Sequence, residues 1–120
     1  MSRTYDLEDR LINFAVNIIK LTETLTPTKA GNHLAGQILR SGTSPALNYG
    51  EAQSAESNKD FLHKMKVVLK ELRETLVCLK ILFKSNLYND QIIMDLLLKE
   101  CNELVSIFVK SVATSQKNLK

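Results

Sequence analysis

Seven side chains, Lys59, His63, Lys66, Lys70, Arg73, Lys80 and Lys84, recur at four- and three-residue intervals, with only Val77 interrupting the line. On a helix those intervals place all of them in one strip. A cationic strip of this kind can track a phosphate backbone, each neutralised phosphate releasing counterions, or meet an acidic partner. The same spacing also suits a solvated bundle face balanced by acids, with Lys70 and Glu74 as one i,i+4 pair and Glu71 adding to the balance. No aromatic residue interleaves the strip, so base stacking is not indicated.

Other chemistries find less support. Di-iron bundles take a Glu from each of two helices and Glu-x-x-His from each of the others. Asp60-x-x-His63 is a lone imitation of that motif, and His33 has no carboxylate three residues before it. Cys78 and Cys101 fall on hydrophobic helix faces without CxxC spacing, as buried free thiols do. No nucleophile, base and orienting acid are grouped, and no Gly-rich phosphate loop is present. The expectation is a protein that is not an enzyme and holds no metal or cofactor.

The elements that must carry the strip follow from composition and period. The chain has 120 residues, 44% hydrophobic and 24% charged, which fits one domain over residues 1–120. Only 4 Gly and 2 Pro are present, favouring long helices over a turn-dense β fold. A net charge of +3 permits polyanion binding without requiring it. The charged N-terminus and the lack of an uninterrupted apolar run of about eighteen residues predict a cytoplasmic protein.

Leu7, Leu11, Phe14, Ile18, Leu21 and Leu25 space as a helix seam, with Ile12, Ala15 or Val16, and Ile19 as a second apolar line and Pro27 as the stop. A second helix, beginning near Lys29, carries Leu34, Ile38, Ser41, Pro45, Asn48, Ala52 and Ala55 on a face that turns small and polar. Pro45 predicts a kink between Ser41 and Pro45, or a break into two short helices. The third opens on a Ser57 cap and repeats Leu62, Leu69, Leu76 and Phe83 every seven residues, beside Met65, Val68, Leu72, Leu79 and Leu82. The fourth starts from an Asn89 cap, runs through Met94, Leu98, Cys101, Val105, Phe108 and Val112, and gives way to the polar "TSQKNLK". Short connections predict an all-α, antiparallel up-down-up-down four-helix bundle, its second helix kinked near Pro45.

The stretch "QILRSGTSPALNYGEAQSAESNKDFLHKMKVVLKELRET", Gln37 to Thr75, closely resembles the small bacterial four helix bundle protein family, also called the 23S rRNA-intervening sequence proteins. The resemblance implies a four-helix bundle, often a homopentameric ring. Some members are encoded within insertions in large-subunit ribosomal RNA genes. A similar bundle, the accessory variability protein of diversity-generating retroelements, binds nucleic acid and a reverse transcriptase. "VCLKIL", Val77 to Leu82, stands where many relatives carry an aromatic pair.

Arg40, Asn48, Tyr49 and Glu51 belong to the stretch that carries the resemblance. Asn48 and Glu51 are three residues apart and project to neighbouring positions on a helix. They read either as a polar site or as a network fixing helix register, with Arg40 and Arg73 as partners for Glu51. Two apolar lines on the first helix and the small face on the second exceed what one helix buries in a lone bundle, so a closed homo-oligomer is expected, a pentamer by resemblance. The functional expectation is a non-catalytic, self-assembling bundle that presents basic surface to RNA, DNA or a nucleic-acid enzyme such as a reverse transcriptase. The alternative is a structural or protein-interaction module with no nucleic-acid role.

Overall fold

The computed structural model describes residues 3–119. Four helices, α1 (Arg3–Thr22), α2 (Lys29–Ala52), α3 (Asn58–Lys84) and α4 (Gln91–Asn118), are joined by loops of five or six residues. Connections that short reverse the chain and leave successive helices side by side. Thus α2 packs on α1 and α3, and α4 packs on α3. The α1/α4 seam closes the bundle most thinly, while α1 and α3 lie on one diagonal and α2 and α4 on the other.

The helix ends are set by local chemistry. Thr28 caps α2 by accepting from the Gly31 amide at 3.0 Å. Ser57 caps α3 by accepting from the Asp60 amide at 3.0 Å, and Asp60 places negative charge in the first turn, where the helix dipole is positive. The cap of α4 is Asp90, whose Oδ1 accepts from the Ile93 amide at 3.1 Å. The expected Asn89 is one residue early. Both residue types cap well, and an acid at this end also gains from the dipole. Asn86 turns the chain between α3 and α4 with φ 62°, a left-handed geometry that asparagine tolerates.

Two helix lengths differ from expectation. α1 stops at Thr22 rather than near Leu25, because the Thr22 and Thr24 hydroxyls donate to the Ile19 and Leu21 carbonyls and the chain tightens into turns. α4 continues through the polar tail to Asn118. α2 runs unbroken through Pro45, so it is not two short helices. Pro45 is buried, and the amide it lacks leaves the Ser41 carbonyl without its helical donor. Neighbouring side chains bond back to the helix: Thr43 Oγ1 to the Leu39 carbonyl at 2.7 Å, and Asn48 Nδ2 to the Ser44 carbonyl at 3.1 Å.

The core runs through Phe14, Ile18, Ile38, Leu72, Leu79, Leu104 and Phe108, all at or near zero exposure. On α3 the deepest line is Met65, Val68, Leu72, Thr75, Leu79 and Leu82. Leu69, Leu76 and Phe83 of the heptad repeat are only partly buried, so the second apolar line is the main seam. Thr75 is its one polar member. Its hydroxyl donates to the Glu71 carbonyl at 2.8 Å and shares a hydrogen bond with the Ser41 hydroxyl at 2.9 Å. Tyr49 also turns inward, its ring edge-on to Phe108 with centroids 5.7 Å apart. Among the described residues no helix is long and apolar enough to cross a membrane.

Gly42 marks a close approach of α1 and α2, since a Cβ there would lie 2.8–3.1 Å from the Ile18 side chain. Gly42→Ala should therefore destabilise the bundle by about 1–3 kcal/mol in urea unfolding, although alanine is the better helix former. Leu72→Ala should cost about 2–5 kcal/mol, and Leu69→Ala distinctly less. Equal losses at the two leucines would contradict the assignment of the seam.

Candidate nucleic-acid interface

α3 carries three acids, Asp60, Glu71 and Glu74, and where they point decides the charge of its outer face. Glu71 is 8% exposed and turned towards α2. Arg40 donates from one nitrogen to both of its oxygens, at 3.0 and 3.1 Å, and from the other to Glu74. Proximity to Glu71, then to Glu74, raises the Arg40 pKa above its ordinary value. The expected Lys70–Glu74 pair is therefore not formed. Arg40 reaches Glu74 across the α2/α3 seam, and its planar fork serves two carboxylates at once.

With these two acids engaged, Lys59, His63, Lys66, Lys70, Arg73, Lys80 and Lys84 all lie exposed along the outside of α3, and among the described residues none joins an ion pair. The strip spans 26 residues, about 38 Å from first to last at helical rise. Val77, the interruption, is 57% exposed and lies in the same line. The strip expected from spacing is thus on the surface. The acids expected to balance it face elsewhere.

The polar cluster of the second helix is not assembled. Glu51 pairs with Lys64 at 2.6 Å, not with Arg40 or Arg73. The hydrogen bond that Lys64 donates to Glu51 raises the Lys64 pKa. Asn48 bonds within its own helix, to the Ser44 carbonyl and hydroxyl, and Tyr49 belongs to the core. Arg40 and Glu51 lie three helical turns apart, each bonded to α3, and bolt the same seam at two heights. Lys64 was not singled out in sequence because it stands one residue off the strip. That offset of about 100° is what turns it towards α2.

A third link, also missed, crosses the thin α1/α4 seam. Arg10 donates to Glu100 at 2.6 and 3.0 Å and to Glu103 at 3.0 Å, and the Glu100 hydrogen bond raises its pKa. On one side of this clamp lies a half-open groove of about 520 Å³ with Phe14, Leu21, Tyr88, Leu96 and Leu97 among its lining. Asn13, Asn17 and Lys20 of α1 and Thr24 just beyond it also line the groove, a four-three-four polar line that was legible in sequence but masked by the apolar lines beside it. Among the described residues no three His, Cys, Asp or Glu side chains gather where a metal could sit.

The chain belongs to the 23S rRNA-intervening sequence protein family, whose model matches residues 4–110. It is similar to a crystal structure of a protein with unknown function from the S23 ribosomal protein family of Bacteroides thetaiotaomicron. The two share 29% identity over 88% of this chain and 97% of that one, with a TM-score of 0.81. No curated protein matches.

The cysteines sit in the core as free thiols. Burial pushes Cys78 up, and pushes Cys101, whose Sγ donates to the Leu72 carbonyl at 3.4 Å, up to about 12. A thiol pKa raised by folding stabilises the fold fully below the unfolded value and loses that contribution as pH rises through the folded one. The Cys101 contribution should be constant below about pH 8.5 and decline towards pH 12, on the order of 1 kcal/mol per pH unit. Unfolding of the protein beside Cys101→Ala should show their difference in stability shrinking over that range. A difference that stays constant would mean the thiol is accessible to solvent.

Proposed function

We propose that this protein is a non-catalytic, self-assembling bundle that offers the α3 strip to the phosphate backbone of RNA or DNA, alone or beside a nucleic-acid enzyme such as a reverse transcriptase. The observation that carries this reading is the separation of charge on α3: Arg40 draws Glu71 and Glu74 to α2, and the seven cations of the strip lie exposed on the outside with no ion-pair partner among the described residues. Isolated surface lysines are ordinary, but a row of them along one helix creates a continuous positive field. Assembly would repeat that row once per subunit, so weak contacts with one polyanion would add through avidity. The resemblance favours a homopentamer, and a cytoplasmic setting accords with an RNA-facing role.

A second reading, a protein-interaction module without a nucleic-acid role, is favoured by a different observation. Ile12, Val16, Ile19, Leu39 and Leu47 are exposed on α1 and α2, as surfaces that meet other proteins are. The first reading contains this one if the partner is a second copy. It excludes it if the strip is inert.

Fluorescence anisotropy with generic RNA and DNA separates the two. Contact with four phosphates should weaken binding about 100-fold between 50 and 200 mM salt. Lys66→Glu, Lys70→Glu and Lys80→Glu together should abolish binding with helicity and assembly unchanged. Unchanged affinity in a correctly assembled triple variant would remove the strip from the mechanism. Loss of the oligomer would reassign the strip to a subunit contact and leave the second reading.

A further inference from the structure

α1 presents two unsatisfied apolar features on different flanks. On the first flank Ile12, Val16 and Ile19 stand exposed beside Leu39 and Leu47 of α2, the last 67% exposed. The approach of Gly42 to Ile18 fixes the register of these two helices, so the five residues form one protruding face. No charged residue occurs from Leu11 to Ile19. On the second flank, one residue further along and about 100° round the helix, Asn13, Asn17 and Lys20 rim the α1/α4 groove. Leu96, at 62% exposure, forms part of its wall.

We propose that the protruding α1/α2 face of one copy seats in the α1/α4 groove of the next. This deepens, and rests on, the self-assembly reading above. A second copy fits the groove because the incoming face brings no charge to bury. The groove's one carboxylate, Glu100, is already neutralised by Arg10, and Lys20 is exposed at the rim. A partner with an acidic face would instead be drawn to α3.

The contact is between two different patches, hence heterologous, and such contacts propagate until they close. Adjacent sides of a four-helix bundle face about 90° apart, whereas the directions to two neighbours in a ring of n subunits subtend 180° minus 360°/n, so closure falls at about four or five subunits. The charge-free face measures roughly 20 Å by 20 Å from helix rise and diameter, about half of what one partner gives a standard interface. A lone pair would be weak, and a closed ring, in which every subunit uses both faces, would hold each subunit twice.

The test is complementation. Val16→Glu spoils the protruding face and Leu96→Glu spoils the groove. Both positions are exposed, so helicity should be retained, and Leu47→Glu serves as a second face variant if Val16→Glu fails to fold. In sedimentation at tens of micromolar the unaltered protein should form a closed oligomer, and each variant alone should run as a monomer. Mixed, Val16→Glu keeps a working groove and Leu96→Glu a working face, so the mixture should give a 1:1 heterodimer and nothing larger. An unaltered protein that is monomeric would overturn the self-assembly reading itself. An assembled protein whose variants remain assembled, or whose monomeric variants fail to pair on mixing, would leave self-assembly standing and overturn this pairing of surfaces.

Discussion

The arrangement of charge on this bundle depends on one guanidinium. Arg40 projects from α2 across the seam and holds both acids from the middle of α3. Glu71 is nearly buried, and burying a carboxylate is costly unless it is paired and hydrogen-bonded. A lysine would supply one point of contact, whereas the planar fork reaches two carboxylates. What this achieves inside the protein is helix register, since Glu51–Lys64 repeats the same kind of link three turns away. What it achieves outside is an outer strip on α3 from which Glu71 and Glu74 are turned away.

That seam exists because α2 is small where it meets its neighbours. Ser41, Gly42, Pro45 and Ala52 are buried on it, and small side chains let backbones approach. Gly42 admits Ile18 from α1, while Ser41 meets Thr75 from α3. The polar atoms this brings inside are matched: among the described residues no buried side-chain nitrogen or oxygen lacks a partner. A stretch that looks too polar for a core helix is therefore the helix both neighbours close upon. Pro45 is tolerated there because its ring is buried surface, and the helix continues through it at the loss of one hydrogen bond.

The four helices were legible because their apolar residues recur with helical period, and Ser57 was legible because a capping residue with an acid three positions on is a local signal. The strip was legible for the same reason as the helices. What sequence could not decide was competition between near-equivalent choices. Asn89 and Asp90 are both good caps one residue apart, and the helix starts from the second. Glu74 had Lys70 within one helical turn and Arg40 in a different helix, and the cross-helix partner won because it was already placed by Glu71. The two apolar lines on α3 were equally regular, and which is deepest depends on how α2 and α4 flank it, a tertiary fact that periodicity does not contain. The α1/α4 groove likewise arises from how far apart two helices settle.

The division of the surface has a geometric consequence. The protruding face and the groove share α1 as their common edge, and α3 lies diagonally opposite. In a ring built through those two surfaces, the line bisecting the directions to the two neighbours passes through α1, so α1 would look towards the ring axis and α3 away from it. Apolar contact and cationic display then do not compete for the same surface, and no charge on the strip has to be desolvated for subunits to join. The bundle's own charge would also resist any alternative assembly that set two α3 helices against each other, because unpaired lysines would meet like charges at short range. In such a ring the strip would shape the assembly by repulsion before meeting any polyanion, and the feature proposed to bind phosphate would also help specify which faces of the protein are left to touch.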